Sequence, residues 1–172
     1  DPGVVVKFGA ADALIVNGTL IAQGTNSDEI IFTSNDPSPA AGDWERIRFT
    51  STGGENVLDH VIVEYSTYGA HWEDVSGIIS NSIVRNQSVY GILLHNSSTE
   101  ITANEINNNP YGIVAISNSN GGSSPEITLN EITQNNYGIY VSDTSPHVSD
   151  PVMNNNDLSG NNYYAIYTEG QY

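Results

Sequence analysis

One phrase recurs along this chain, and a chain that repeats itself at a short interval has few ways to fold. From residue 57 onward the phrase runs aliphatic, Asn, aliphatic, Asn, Tyr-Gly-aliphatic. Ile79, Asn81, Ile83, Asn86 and Tyr90-Gly91-Ile92 make one copy. Ile101, Asn104, Ile106, Asn109 and Tyr111-Gly112-Ile113 make the next, and Ile127, Asn130, Ile132, Asn135 and Tyr137-Gly138-Ile139 the third. A decayed copy follows at Asn156, Leu158, Asn161 and Tyr164-Ala165-Ile166. A degenerate one precedes them at Leu58, His60, Ile62, Tyr65 and Tyr68-Gly69-Ala70. The first Asn of each copy steps by 23, 26 and 26 residues, and His60 stands 21 before Asn81.

Within each copy the short aliphatic pieces alternate with period two, as strands do, and are cut by Asn, Gly and Ser. Helix is excluded, because Asn and Gly are poor helix formers and no copy carries an apolar stripe at helical spacing. Each copy reads as about three short strands joined by tight bends. A unit of that size cannot bury its own apolar face, so successive units must stack as coils. Ile83, Ile106, Ile132 and Leu158 are expected to form one inward aliphatic column. Asn tolerates the left-handed conformation of a sharp bend, and its amide pairs with the same Asn one coil away. Such pairing relieves buried polar groups that otherwise cost about 1–3 kcal/mol each. We read His60, Asn81, Asn104, Asn130 and Asn156 as that ladder, and Asn86, Asn109, Asn135 and Asn161 as a second. Tyr90, Tyr111 and Tyr137 form a ring column, with a bend at each following Gly.

The first third is strand-like at Val4 to Phe8, Ala13 to Val16, Thr19 to Ala22, Glu29 to Thr33 and Arg46 to Thr50. The loop 35–43, with Pro37, Pro39 and Gly42, is the insertion expected to leave the coil surface. The domain reading is one unit over 1–172, with opening coils at 1–56 and the Asn/Tyr-Gly repeats at 57–172. The chain begins at Asp1 without Met, which reads as a processed protein or a segment of a larger one. The Ile-x-x-Asn-x-Ile-x-x-Asn…Tyr-Gly-Ile phrase resembles the repeat of secreted pectate-lyase-like proteins. The segments Pro2 to Phe8, Gly18 to Thr25, Ile30 to Ser34 and Trp44 to Phe49 look like the opening of bacterial and archaeal surface β-helix proteins. The resemblance implies an all-β, single-domain right-handed parallel β-helix with coils of about 21 to 26 residues. It implies no single activity, since this fold hosts lyases, hydrolases, epimerases, adhesins and scaffolds.

Four Lys plus Arg against 20 Asp plus Glu give a net charge of −16. Such a surface repels nucleic acid and anionic membranes and suits solubility in an exposed or salty medium. No apolar run approaches the roughly 20 residues of a membrane span. With no Cys there are no disulfides, thiol nucleophiles or Cys-ligated metals. Carboxylates take hard cations, so Ca²⁺ is the ion to expect if any is bound, although no motif requires a cofactor. Asp143, Asp150 and Asp157, recurring at steps of seven, are the calcium candidates.

The densest chemistry is His71-Trp72-Glu73-Asp74, with Asp59, His60, Glu64 and Arg85 in the same neighbourhood of the repeat. As a sugar site it would use Trp72 and Tyr68 as stacking platforms, with Glu73 and Asp74 as acid and base and His71 and Arg85 as further catalytic candidates. The plainer reading is an exposed loop beside an inter-coil ion pair, Glu64 with Arg85, since coils lie about 4.8 Å apart. Lyases of the resembling fold neutralise a uronate with cations and use an Arg or Lys base. Here Lys7, Arg46, Arg48 and Arg85 are spread over several coils. The Asp-Asp pair of polygalacturonase-like hydrolases is missing, and Ser145-Pro146-His147 lacks both acids of the epimerase Asp-Pro-His-Asp. Two classes therefore stand. One is a structural or binding module of a cell surface or matrix, partnered by its own copies head to tail, by flanking coils of a longer parent, or by polysaccharide. The alternative is a polysaccharide-active enzyme or a fragment of one.

Overall fold

In the computed structural model, residues 1–50, 54–144 and 146–170 are described; Ser145 of the Ser-Pro-His motif lies outside them. Every described element is a β-strand, and three strands close each coil. The first coil holds β1 (Val5–Phe8), β2 (Leu14–Val16) and β3 (Ile21–Gln23), and the second β4 (Ile30–Ser34), β5 (Ile47–Phe49) and β6 (Asn56–Asp59). The third holds β7 (Val61–Glu64), β8 (Ala70–Glu73) and β9 (Gly77–Ser80), and the fourth β10 (Ile83–Arg85), β11 (Tyr90–His95) and β12 (Glu100–Thr102). The fifth holds β13 (Glu105–Asn107), β14 (Tyr111–Ile116) and β15 (Glu126–Thr128). The sixth holds β16 (Glu131–Thr133), β17 (Tyr137–Asp143) and β18 (Val152–Asn154), and β19 (Tyr164–Gly170) follows. Corresponding strands stack in parallel into sheets of six, seven and six strands, β1 to β16, β2 to β19 and β3 to β18. This is a parallel β-helix.

The core is made of columns, one residue per coil. In the seven-stranded sheet Ile47, Ala70, Ile92, Ile113 and Ile139 share register and are fully buried, as are Phe49, Trp72, Leu94 and Ala115 beside them. In the first six-stranded sheet Val63, Val84, Ile106 and Ile132 do the same. Val84 stands where Ile83 was expected. Ile83 pairs with Glu105 on the outward side, a one-residue slip that reverses a strand's faces.

The same slip corrects both Asn ladders. Asn104 and Asn130 each pass their amide to the next rung, to Asn130 and Asn156 at 3.0 Å, but the rung before Asn104 is Ser82, 22 residues earlier. In the second ladder Gln87 precedes Asn109, Asn135 and Asn161. Asn81 and His60 lie one position earlier, in a column of left-handed bends with Ala103, Leu129 and Asn155, at φ between 48° and 59°. Asn86 likewise bends, with Tyr65, Asn108 and Gln134. From Asn81-Ser82 and Asn86-Gln87 onward, these two corners thus pair a left-handed residue with a following side-chain oxygen that caps the coil before. A third, shorter ladder runs through Ser97, Ser123 and Ser149 at 3.1 Å.

Gly91, Gly112 and Gly138 answer to space rather than to a bend. A Cβ on any of them would sit 2.5 to 2.6 Å from a carbonyl oxygen of the next coil. Coil steps of 21, 22 and 26 residues hold through the repeats, while insertions stretch the pairings of the second coil to as many as 36. The tip of loop 35–43 is exposed, and the loop closes back through the Gly42 and Asp43 amides on the Tyr65 carbonyl at 3.1 and 3.0 Å.

Candidate functional site

Period two decides what β8 shows to solvent: His71 and Glu73 point outward and Trp72 points in. Trp72 is fully buried, stacked on Phe49 at 4.8 Å, so it cannot serve as a sugar platform. His71 lies on the outer side yet is only 3 % exposed, because its neighbours close over it. Arg46 lies 3.2 Å from His71 Nδ1, and His71 Nε2 lies 3.2 Å from His95 Nδ1. A guanidinium only donates, so His71 Nδ1 accepts, His71 Nε2 carries the proton, and His95 Nδ1 accepts in turn. Burial, reinforced by His95, Arg46 and Arg48, pushes the His71 pKa down to about 3. Burial also lowers that of His95, against the pull of Glu73 and Asp74. Both rings stay neutral near pH 7, in fixed tautomers.

The charged groups around this relay are occupied. Arg46 pairs with Glu45 and lies 4.3 Å over the Tyr68 ring. Arg48 donates Nε to Glu73 at 2.7 Å. Asp74, left-handed just beyond β8, accepts the amides of Asn96, Asn118 and Asn120 at 3.0 to 3.1 Å. The Asn118 and Asn96 amides hold its carboxyl below the ordinary range, the opposite of what a general acid needs. Arg85 belongs elsewhere, on the first six-stranded sheet, where it donates to Glu64 at 2.9 Å. Asp59 and His60 sit at yet another corner, 3.0 Å apart. The structure therefore brings together His71, Glu73 and Asp74, with His95, Arg46 and Arg48, and leaves Arg85 apart.

The calcium candidates do not converge. Asp143 accepts the Ser149 amide at the end of the seven-stranded sheet, Asp150 is exposed before β18, and Asp157 caps Ser159 beside Glu131. Among the described residues no three His, Asp or Glu side chains gather to hold a metal. Cavities of about 290 and 310 Å³ lie at Phe8–Ala10 with Ser34–Pro37, and at Ser76–Ile78 with Glu100, away from the His71 relay.

The ring column extends further than the Tyr-Gly phrase indicates. Tyr68, Tyr90, Tyr111, Tyr137 and Tyr164 follow one another at 4.8 to 5.7 Å. Tyr111 stacks on Tyr137, and Tyr137 on Tyr164, whereas Tyr90 meets Tyr111 edge-on; Tyr68 carries the Arg46 guanidinium over its ring, which takes up that face of the expected sugar platform. Sequence reasoning missed His95 as the partner of His71, and a second column of Tyr140 on Tyr167 at 5.5 Å. The recurrence Tyr137-x-x-Tyr140 and Tyr164-x-x-Tyr167 was the signal for the latter.

Compared with known proteins, residues 47–172 match the family described as right handed beta helix region. That span is well over half of the chain, and the chain belongs to this family. No curated protein matches it. No solved structure matches it either.

Proposed function

We propose that the protein is a structural module of an extracellular surface or matrix that associates through the two ends of its stack. One observation carries this reading. Among the described residues, nine of the ten large apolar side chains standing in solvent lie in the first coil or from the sixth coil onward: Val4, Val5, Ile15 and Ile21 at one end, Val148, Val152, Tyr163, Tyr164 and Ile166 at the other. Both ends also present strand edges, which invite pairing. All strands run parallel, so a second copy placed head to tail continues each sheet in the same sense; in a longer parent, flanking coils take that place. The contact is weak. Register puts Val4 in the slot that Asn156 would next hydrogen-bond, and an unmet amide costs about 1–3 kcal/mol. The net charge of −16 adds repulsion that salt screens. Light scattering on the 172-residue chain should show a mass that rises with concentration, salt and Ca²⁺. A strict monomer at high concentration in high salt, with terminal coils ordered, overturns self-stacking. A carbohydrate-binding role would fall to Tyr163 and Tyr164, whose exposures of 66 % and 51 % exceed those of the inner rings; a glycan array tests it.

A further inference from the structure

Tyr68, Tyr90, Tyr111, Tyr137, Tyr140, Tyr163, Tyr164 and Tyr167 form one continuous network of rings on the outer side of the seven-stranded sheet. Tyr140 is its junction. Its ring lies 5.4 Å from Tyr111, 6.2 Å from Tyr137, and stacked within 15° on Tyr167. Its hydroxyl donates to the Glu169 carboxylate at 2.5 Å, and among the described residues no other tyrosine hydroxyl has a carboxylate partner. Burial and Glu169 push its pKa up to about 12, so the resting phenol is protonated.

A phenol that loses an electron becomes strongly acidic, and oxidation is easiest where a base already holds the proton. Glu169 is such a base. Tyr167 shares register with Tyr140 one coil on, and its ring is the one stacked directly against it. We propose that Tyr140 is a redox-active tyrosine that, under a one-electron oxidant such as a heme peroxidase with hydrogen peroxide, couples to Tyr167 as an intramolecular dityrosine. Each phenol gives up one electron; the Tyr140 proton passes to Glu169 and the Tyr167 proton to solvent. The two phenoxyl radicals join ortho carbon to ortho carbon, and the ring hydrogens at the new bond move to the oxygens, restoring two phenols. Two electrons and two protons leave in all, and reduce one peroxide to two waters. The bond staples β19, which among the described strands pairs with β17 alone, to the body of the stack. This proposal is independent of end-to-end association.

The test is brief oxidation of the dilute full chain, followed by intact mass, dityrosine fluorescence and proteolytic mapping. The expected product is a monomer lighter by two hydrogens with Tyr140 joined to Tyr167. Tyr140→Phe and Tyr167→Phe keep the rings and should abolish that product, with melting close to the parent. Glu169→Gln keeps a hydrogen-bond acceptor without the base, and should slow the product several-fold. The proposal is overturned by coupling that maps mainly to Tyr65, by cross-links formed only between chains, by a Tyr140→Phe chain that still gives the same product, or by Glu169→Gln reacting at the parent rate.

Discussion

Asn serves two distinct purposes in this chain, one position apart. Asn104, Asn130 and Asn156 are acceptors that cap the preceding coil, whereas Asn81 and Asn86 supply a left-handed backbone. Asn104→Ala would strip the Ser82 amide of its acceptor and the Ile79 carbonyl of its donor, and should cost about 2–3 kcal/mol. Asn81→Ala should cost less, since it mainly loses one exposed contact to Asp59 and adds the strain of a left-handed Ala. Leu129 is already strained, at φ 59° and 62 % exposed, so Leu129→Asn should stabilise by about 1 kcal/mol. Chemical denaturation of the three variants checks this. If Asn104→Ala is silent, or Leu129→Asn is harmful, the bend and the ladder have been exchanged.

At the scale of the element, the outer side of the seven-stranded sheet shows how a short motif misleads. His71-Trp72-Glu73-Asp74 looks like four groups at one site, but a strand sends Trp72 to the core and a left-handed residue turns Asp74 away into a cage of amides. What remains outward is a neutral relay from Arg46 through His71 to His95. Its pH dependence follows from the direction of the His71 shift. The folded chain binds this proton more weakly than the unfolded chain, so the relay's contribution is complete above the ordinary histidine pKa of about 6.5. It is lost progressively as pH falls from there toward 3, at about 1.4 kcal/mol per pH unit for one proton. Imidazole NMR during acidification should show His71 neutral at pH 5, with stability declining below pH 6.5. A His71 that titrates near 6.5 would remove the relay.

For the whole molecule, most of the 20 carboxylates have no cationic partner among the described residues, but those beside the His71 relay are held by Arg48 and by Asn amides. The chain incubated with polygalacturonate or alginate and Ca²⁺ should form no unsaturated product absorbing in the ultraviolet. Robust growth of absorbance would promote the enzyme reading, and its loss in Arg48→Ala or His95→Ala, not Arg85→Ala, would locate it on the seven-stranded sheet. The stack itself was legible because a phrase recurring at steps of 23 and 26 residues admits few architectures. The site was less legible because His71 and His95 are 24 residues apart in a chain whose coils vary from 21 residues upward.

The sequence by itself determined the all-β stack, the tyrosine column and the chemistry without thiols. These depend on composition and on periods that survive small errors of alignment. Only the tertiary structure decided that Val84 and not Ile83 enters the core, that Ser82 and Gln87 complete the ladders, and that Trp72 is buried. The physical reason is the strand's period of two. Moving one coil by one residue preserves its composition and exchanges its faces, and the hydrogen bonds between coils select a single register.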